Sequence, residues 1–398
     1  MRVVLLSHDY PPFNVGGIGT FVEDLAHGLA NLGLEVTVIC GRPVPWKNQP
    51  YSNFDKREDR LTIIRLPYPN LVPRHITFQV FNETKLRAIL KDIKPDIVHG
   101  QAGSAFPAII SIRKIAPVVV TFHGSPAMVK NLSLKSIAQG GTFGDFFTGV
   151  LGYSAFKYGF QAEYKNASAC VAVSESLMKQ LSAEMNVDDQ KFQFIRNGVN
   201  LRYLDELCSH VCKSNRNSRA LKPKLLFGGR LFWSKGVLNL VDLAYILEKK
   251  YHLDLEIVIY GTGPMYNRII QRKIKYGLSN LILRDLASRS DFLREMMDAT
   301  FFLIPSFYEA APMVLLESMS MGKIPVMFDM PYSREFTKGG KYGILAESVP
   351  DMAFKIRDVY NNGGFPQLES EIRNFARENF NMDKTSLAYY KLYQKVCN

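Results

Sequence analysis

Residues 2–40 read RVVLLSHDYPPFNVGGIGTFVEDLAHGLANLGLEVTVIC, and the order of patterns in this stretch decides the fold class. The apolar run RVVLL (2–6) has the character of a strand buried on both faces. It gives way to a proline- and glycine-bearing loop that ends Gly16-Gly17-Ile18-Gly19-Thr20. Phe21, Leu25, Leu29 and Leu32 then recur on one helical face, with Thr20 as the expected cap and Gly33 as the stop. EVTVIC (35–40) is a second strand. Strand, glycine loop, helix and strand in that order make one βαβ unit.

Outward from this unit the alternation continues. LTIIRL (61–66), DIVHG (96–100), VVVTFHG (118–124) and ACVAVS (169–174) are strand-like, with helical patterns between most of them, as over 84–93. The pattern lapses near 205–224 in ELCSHVCKSNRNSRALKPK, a polar and basic stretch that reads as a linker. It restarts with strands at 224–229, 255–261, 281–285, 300–306 and 323–328, and helices at 237–249, 265–276, 292–297 and 313–321. Such alternation predicts parallel sheets covered on both faces. The expected architecture is therefore α/β: two facing Rossmann-like doubly wound domains. Residues 1–205 form the first, 206–223 the linker and 224–375 the second, and a helix over 376–398 crosses back to the first domain.

Composition narrows the function classes. Of 398 residues, 47% are hydrophobic and 22% charged, which excludes collagen-like and disordered chains. No apolar run approaches the ~18 residues of a spanning helix, and MRVVLLSHDYPP turns polar too early for a secretory signal. Cys40, Cys170, Cys208, Cys212 and Cys397 are few and scattered, which argues for a reducing compartment and a cytoplasmic location. Cys208 and Cys212 stand at helical spacing, but no second ligand pair accompanies them, so zinc is disfavoured. The surplus of 49 basic over 37 acidic residues, +12, points to an anionic partner: nucleic acid, a phosphorylated small molecule or a membrane surface. Without a zinc finger, an RNP signature or a run of five like charges, nucleic acid is the least favoured.

Open α/β sheets bind ligands beyond the carboxyl ends of their strands. Gly16 to Thr20 there is a tight turn or a phosphate site; the spacing is not GxGxxG, and Cys40-Gly41-Arg42 stands where a dinucleotide would need an acidic residue. In GGRLFWSKG (228–236), Arg230 and Lys235 precede a helix start, an arrangement suited to a diphosphate or else an ordinary solvated loop. In PSFYEAAPMVLLE (305–317), Pro312 suits the first helical position, Glu309 lies in the loop and Glu317 in the second turn. The two carboxylates line one crevice, or Glu309 merely complements the helix dipole and Glu317 is a solvated helix charge. His99 and His123 end strands, and Tyr260-Gly261-Thr262-Gly263-Pro264 is another glycine loop after a strand.

Together, YPP…GGIGT, TFHG, VAVSESL, RNGVN (196–200), GGRLFWSKG, IYGTGP, and Glu309 with seven residues between it and Glu317 resemble the retaining glycosyltransferases of family 4. These group 1 glycosyltransferases have the GT-B fold. The resemblance implies a retaining transferase that takes a sugar from a nucleotide-sugar; the expectation is a hexose, from UDP-glucose first and GDP-mannose next, moved to a glycan or lipid-linked oligosaccharide. It implies that Arg230 and Lys235 hold the donor diphosphate, Glu317 the ribose, and Glu309 the sugar hydroxyls. His123 would stand beside the sugar, Gly16 and Gly17 would face the phosphates, and Gly261 with the amides of Met313 and Val314 would complete the donor site. No metal or other cofactor is implied, and the chain has no Asp-x-Asp triplet. One departure is Ala311-Pro312, where the family commonly has an aromatic-glycine pair; the proline removes an amide.

Two other functions compete: a GT-B nucleotide-sugar epimerase and a basic nucleic-acid-binding protein. In the segment 125–165, Phe143, Phe146, Phe147, Tyr153, Phe156, Tyr158 and Phe160 interleave with Lys130, Lys135, Lys157 and Lys165. Trp46-Lys47 and residues 51–57 form a second basic-aromatic stretch. These dock peripherally on an anionic membrane at its cytoplasmic face, or they are core aromatics with solvated lysines.

Overall fold

A computed structural model describes residues 1–13, 16–44, 56–71, 74–101, 103–137, 141–187, 191–212, 222–285, 288–363 and 365–398. Trp46-Lys47 and residues 51–55 therefore lie outside the described residues. The chain divides into two compact units. Unit 1 comprises Met1–Val129, Leu151–Gly198 and Met382–Asn398; unit 2 comprises Lys130–Val150 and Val199–Asn381. The division falls at Gly198 rather than at the expected residue 205.

Unit 1 holds the strands β1 (Arg2–Ser7), β2 (Glu35–Val44), β3 (Lys56–Glu58), β4 (Leu61–Pro69), β5 (Ile97–Gln101), β6 (Val118–Phe122), β7 (Ala169–Ala172) and β8 (Phe192–Phe194). They pair in the order β3-β4-β2-β1-β5-β6-β7-β8. All pairs are parallel except β3 with β4. Every residue of β5, β6 and β7 is buried. That is why these strands read as unbroken apolar or small-residue runs rather than as alternations.

Helices α1 (Gly17–Asn31), α2 (Arg74–Ile93), α3 (Ile109–Ile112) and α6 (Glu175–Met185) belong to this unit, with α15 (Met382–Cys397). Helices α4 (Pro126–Lys135) and α5 (Phe143–Asn166) each contribute residues to both units. Thr20 is not the cap of α1: the N-cap is Gly16, and no side chain caps the helix. Helix α2 starts ten residues earlier than its periodicity indicates, at Arg74 rather than 84. Its first half buries the polar Gln79 and Asn82, which blurs the apolar face. Asn82 donates to the Pro67 carbonyl at 3.0 Å, and Gln79 to that of Ser104.

Unit 2 is built on β9 (Lys224–Gly228), β10 (Glu256–Tyr260), β11 (Leu281–Arg284), β12 (Phe301–Ile304), β13 (Ile324–Phe328) and β14 (Ile344–Ala346). The order is β11-β10-β9-β12-β13-β14, all parallel. Its helices are α7 (Leu201–Cys212), α8 (Val237–Tyr245), α9 (Tyr266–Tyr276), α10 (Arg289–Met297), α11 (Met313–Ser320), α12 (Pro331–Thr337), α13 (Val349–Asn362) and α14 (Phe365–Asn379). The linker expected over 206–223 is corrected in its first part. Residues 206–212 are helical because Leu204 and Leu207 recur at i, i+3 and are buried; 213–221 lie outside the described residues.

One buried acid braces unit 1. Glu163 on α5 is fully buried, and its Oε1 accepts from the amides of Ala105 at 3.2 Å and Phe106 at 3.1 Å. Burial pushes its pKa up from 4.5 to about 8. A raised folded-state value means that the carboxyl's contribution is full below pH 4.5 and is lost as pH rises through about 8. Glu163→Gln, which removes the ionisation, should raise the melting temperature more at pH 9 than at pH 5, as read by circular dichroism.

Candidate functional site

In unit 2 the chain runs from β9 outward through β10 and β11, then returns to β12 on the other side of β9. The strand order reverses between β9 and β12, and a crevice opens beyond their carboxyl ends at such a point. Both charged stretches singled out in the sequence follow these two strands. Gly228 ends β9 and leads through Arg230 to a 3₁₀ turn, Trp233–Lys235, and Gly236. Ile304 ends β12 and leads through the loop 305–312 to α11.

The two loops are stitched together. The Phe307 amide donates to the Ser234 carbonyl at 3.1 Å. Gly236 has φ +64°, and a Cβ there would fall 1.9 Å from the Pro305 carbonyl oxygen. This close approach brings the half-buried Lys235 Nζ to 2.5 Å from Glu309 Oε1. Arg230, five residues before Lys235, does not join them. Its side chain is exposed and has no hydrogen-bond or ion-pair partner among the described residues.

Helix α11 begins at Met313, as expected, but Pro312 is its N-cap rather than its first helical residue, at φ −69° and ψ 122°, and no side chain caps it. The amides of Met313 and Val314 have no hydrogen-bond partner among the described residues. With the positive end of the helix dipole they form a donor pair suited to an anion. Glu317 lies on the same helix but is not a solvated helix charge, since only 3% of it is exposed. Arg289, the first residue of α10, donates to Glu317 Oε1 through Nε at 2.9 Å and lies with Nη2 at 2.8 Å. A buried carboxylate needs such a partner, because desolvation of a lone charge is prohibitive. The Arg289 guanidinium also stacks over Tyr203 at 5.3 Å. Arg289 is the site residue that sequence reasoning missed. The local signal around it, Ser288 capping α10 through the Asp291 amide, marks only a helix start.

Gly261 is buried at φ +146°, and a Cβ there would fall 1.9 Å from the Gly229 carbonyl oxygen. Its loop is laced beneath that of Arg230: the Gly229 amide donates to the Tyr260 carbonyl at 3.1 Å, and the Leu231 amide to that of Thr262 at 2.8 Å. The glycine is thus required by backbone packing.

In unit 1 the order reverses between β1 and β5. Gly16 and Gly17 are exposed at the start of α1. Gly16 has an extended φ of −165°, and among the described residues nothing lies within 4 Å of a Cβ built there. Neither strain nor the chain's own packing demands glycine at that position. His123 follows β6, its Nε2 2.9 Å from Gln101 Oε1 and its ring edge-on to Phe21 at 5.2 Å. Burial lowers its pKa from 6.5 to about 3, so the ring is neutral at pH 7. His99, expected at a crevice, is instead fully buried, 2.6 Å by Nδ1 from the Tyr393 hydroxyl. Burial first and His123 second lower its pKa to about 3.

The aromatic-basic segment divides between both of its readings. Phe160 packs on Phe122 at 5.1 Å and Phe156 on His75 at 6.1 Å, whereas Phe143 and Tyr158 are 70% and 66% exposed. The side chains of Phe147, Lys135 and Cys212 lie outside the described residues. Among those described, Cys40, Cys170, Cys208 and Cys397 form no disulfide, no group of three His, Cys, Asp or Glu could hold a metal, and no helix is long and apolar enough to cross a membrane.

The glycine positions 236 and 16 separate experimentally. Gly236→Ala, which forces a Cβ onto a carbonyl at positive φ, should cost more than about 1 kcal/mol of stability. Gly16→Ala should stay within about 0.5 kcal/mol. Urea unfolding of both variants checks this.

Residues 15–203 match the family described as Glycosyltransferase Family 4, and residues 213–379 match Glycosyl transferases group 1. The putative teichuronic acid biosynthesis glycosyltransferase TuaC of Bacillus subtilis is 25% identical over 100% of this chain and 99% of its own. Among solved structures, sucrose-phosphate synthase from Thermosynechococcus elongatus superposes with TM-score 0.79 at 17% identity, over 99% of this chain and 98% of that one. Anabaena HepE in complex with UDP-glucose superposes with TM-score 0.70 at 14% identity, over 99% and 100%. The α/β architecture with two parallel sheets is that of these GT-B proteins.

Proposed function

Because the chain belongs to the group 1 glycosyltransferases of family 4, enzymes that transfer a sugar from a nucleotide-sugar, we propose that it is a retaining hexosyltransferase whose donor site is the β9/β12 crevice of unit 2. The observation that carries this reading is the pairing of Lys235 with Glu309 in the loop that leads into α11, whose Met313 and Val314 amides have no partner among the described residues. Without a donor, Glu309 neutralises Lys235. A diphosphate competes for the ammonium, and Arg230 and the α11 amides add to its binding. Glu309 is then released to accept hydrogen bonds from the sugar hydroxyls.

Glu317, oriented by Arg289, holds the ribose hydroxyls, and Gly261 supports the loop that carries Arg230. By the family resemblance, His123 is the proposed sugar contact, and Gly16 and Gly17 are proposed to leave the α1 amides open to the phosphates. As the glycosidic bond breaks, negative charge grows on the leaving diphosphate, and the lysine, the arginine and the helix terminus stabilise it. The acceptor hydroxyl attacks on the face the diphosphate leaves, so configuration is retained. With two cations and a helix terminus aimed at this charge, the reaction is metal-independent.

UDP-glucose is the proposed donor, in line with the ligand of the Anabaena protein of similar fold. A glycan or lipid-linked oligosaccharide is the proposed acceptor, in line with the polymer named for the Bacillus relative. Peripheral contact with an anionic cytoplasmic membrane face is part of the proposal, and the exposed Phe143 and Tyr158 support it. The epimerase reading has no observation in its favour, and the nucleic-acid reading has only the overall surplus of +12.

The test is incubation with a panel of nucleotide-sugars, GDP-mannose included, with and without lipid-linked acceptors. Nucleotide release with glycoside formation is expected. No donor binding by calorimetry and no release from any donor would overturn the reading. Lys235→Ala should lower kcat by more than about tenfold by removing leaving-group stabilisation, and an unchanged rate would remove Lys235 from the role. Glu309→Gln should impair turnover of the natural donor, whereas EDTA should leave the wild-type rate unchanged.

A further inference from the structure

Beneath His123 lies a chain of hydrogen bonds that the donor site does not use. Gln101 Oε1 is 2.9 Å from His123 Nε2, and Gln101 Nε2 is 2.9 Å from His99 Nε2. His99 Nε2 is also 2.7 Å from Thr121 Oγ1, and its Nδ1 is 2.6 Å from the Tyr393 hydroxyl. Thr121 Oγ1 in turn lies 3.0 Å from the Tyr389 hydroxyl. Gln101, His99, Thr121, Tyr389 and Tyr393 are all fully buried. Both tyrosines stand on the C-terminal helix α15, far from His99 and Thr121 in sequence.

We propose that Gln101 is a positioning residue that holds His123 in one tautomer, protonated at Nε2, and that it takes its own orientation from His99 and from Tyr393 of α15. A glutamine amide has an oxygen that only accepts and a nitrogen that only donates. The oxygen facing His123 therefore requires a proton on His123 Nε2. The nitrogen facing His99 requires a lone pair on His99 Nε2, which places the His99 proton on Nδ1, donating to the Tyr393 hydroxyl. Turning the amide over would invert both rings at once, because each Nε2 must switch between donor and acceptor to match the end of the amide that faces it.

In a dry interior such a network is specified as a whole, since an unmet polar group there is expensive. The consequence lies at the far end. His123 Nδ1 has no partner among the described residues, and this tautomer makes it a hydrogen-bond acceptor. It is neutral at pH 7 because burial keeps it unprotonated. It can therefore accept a hydrogen bond from a substrate hydroxyl but cannot donate one.

The effect on catalysis rests on the reading of His123 as a sugar contact; the tautomer itself does not. The test is two-bond ¹⁵N–¹H correlation NMR of full-length, histidine-labelled protein at pH 7, with His123→Gln used to assign the signals. The wild-type His123 ring is expected wholly in the Nε2-protonated form. Gln101→Met should turn it into a tautomer mixture and lower kcat several-fold, with the donor KM changed by less than about twofold. Tyr393→Phe, a smaller change, covers the case in which Gln101→Met fails to fold; it should move the His123 signals although Tyr393 does not touch that ring. A wild-type His123 protonated at Nδ1 or mixed, or a tautomer untouched by both substitutions, overturns the proposal. A tautomer that moves without any change in kcat supports it and overturns the sugar-contact role instead.

Discussion

A strand inside a parallel sheet can reach its next parallel neighbour only by a crossover, and in unit 2 the crossovers from β9 all run one way until the chain turns back to β12. The pairing of β12 with β9, Phe301 against Leu225 and Phe302 against Leu226, puts two strand ends side by side that share no connection. Nothing but loops can cover that point. Those loops must then carry their own backbone packing, which is why Gly236 abuts the Pro305 carbonyl and Gly261 the Gly229 carbonyl. The Lys235–Glu309 pair is a consequence of this stitching, since neither residue's own element would bring it to the other.

The charges at the candidate site are held in complementary form. Lys235 lies against Glu309 and Arg289 against Glu317, whereas Arg230 and the first amides of α11 remain without protein partners among the described residues. The two pairs differ in kind. Glu317 is buried, and its arginine makes it tolerable there; Glu309 is only partly buried, and its lysine is more exposed than it is. Unit 1 uses neutral groups instead. Burial keeps His99 and His123 uncharged, so hydrogen-bond direction rather than charge carries the information there. The overall surplus of +12 is therefore only slightly explained by the donor site.

Most of the parallel strands were legible because burial on both faces leaves an unbroken apolar run, as in VVVTF and FFLI. The helices were less so. The first half of α2 buries Gln79 and Asn82, whose partners are distant carbonyls, and α7 begins a stretch whose later residues are polar and basic. Glu309 and Glu317 could be picked out by their spacing around a helix start, yet spacing assigned neither a cation. Arg289 had no signal at all, because its partner is 28 residues away and the contact is made across two crossovers.

By itself, then, the sequence determined the alternation of strand and helix, the two parallel sheets and the family motifs at strand ends, because periodicity and turn chemistry are local properties. Only the tertiary structure decided that Lys235 meets Glu309, that Glu317 is buried on Arg289, and that His99 is an interior link to α15 rather than a crevice residue. Those outcomes depend on strand order and on which loops cross at the reversal. Residues close in space but remote in sequence leave no periodic trace that a single chain can show.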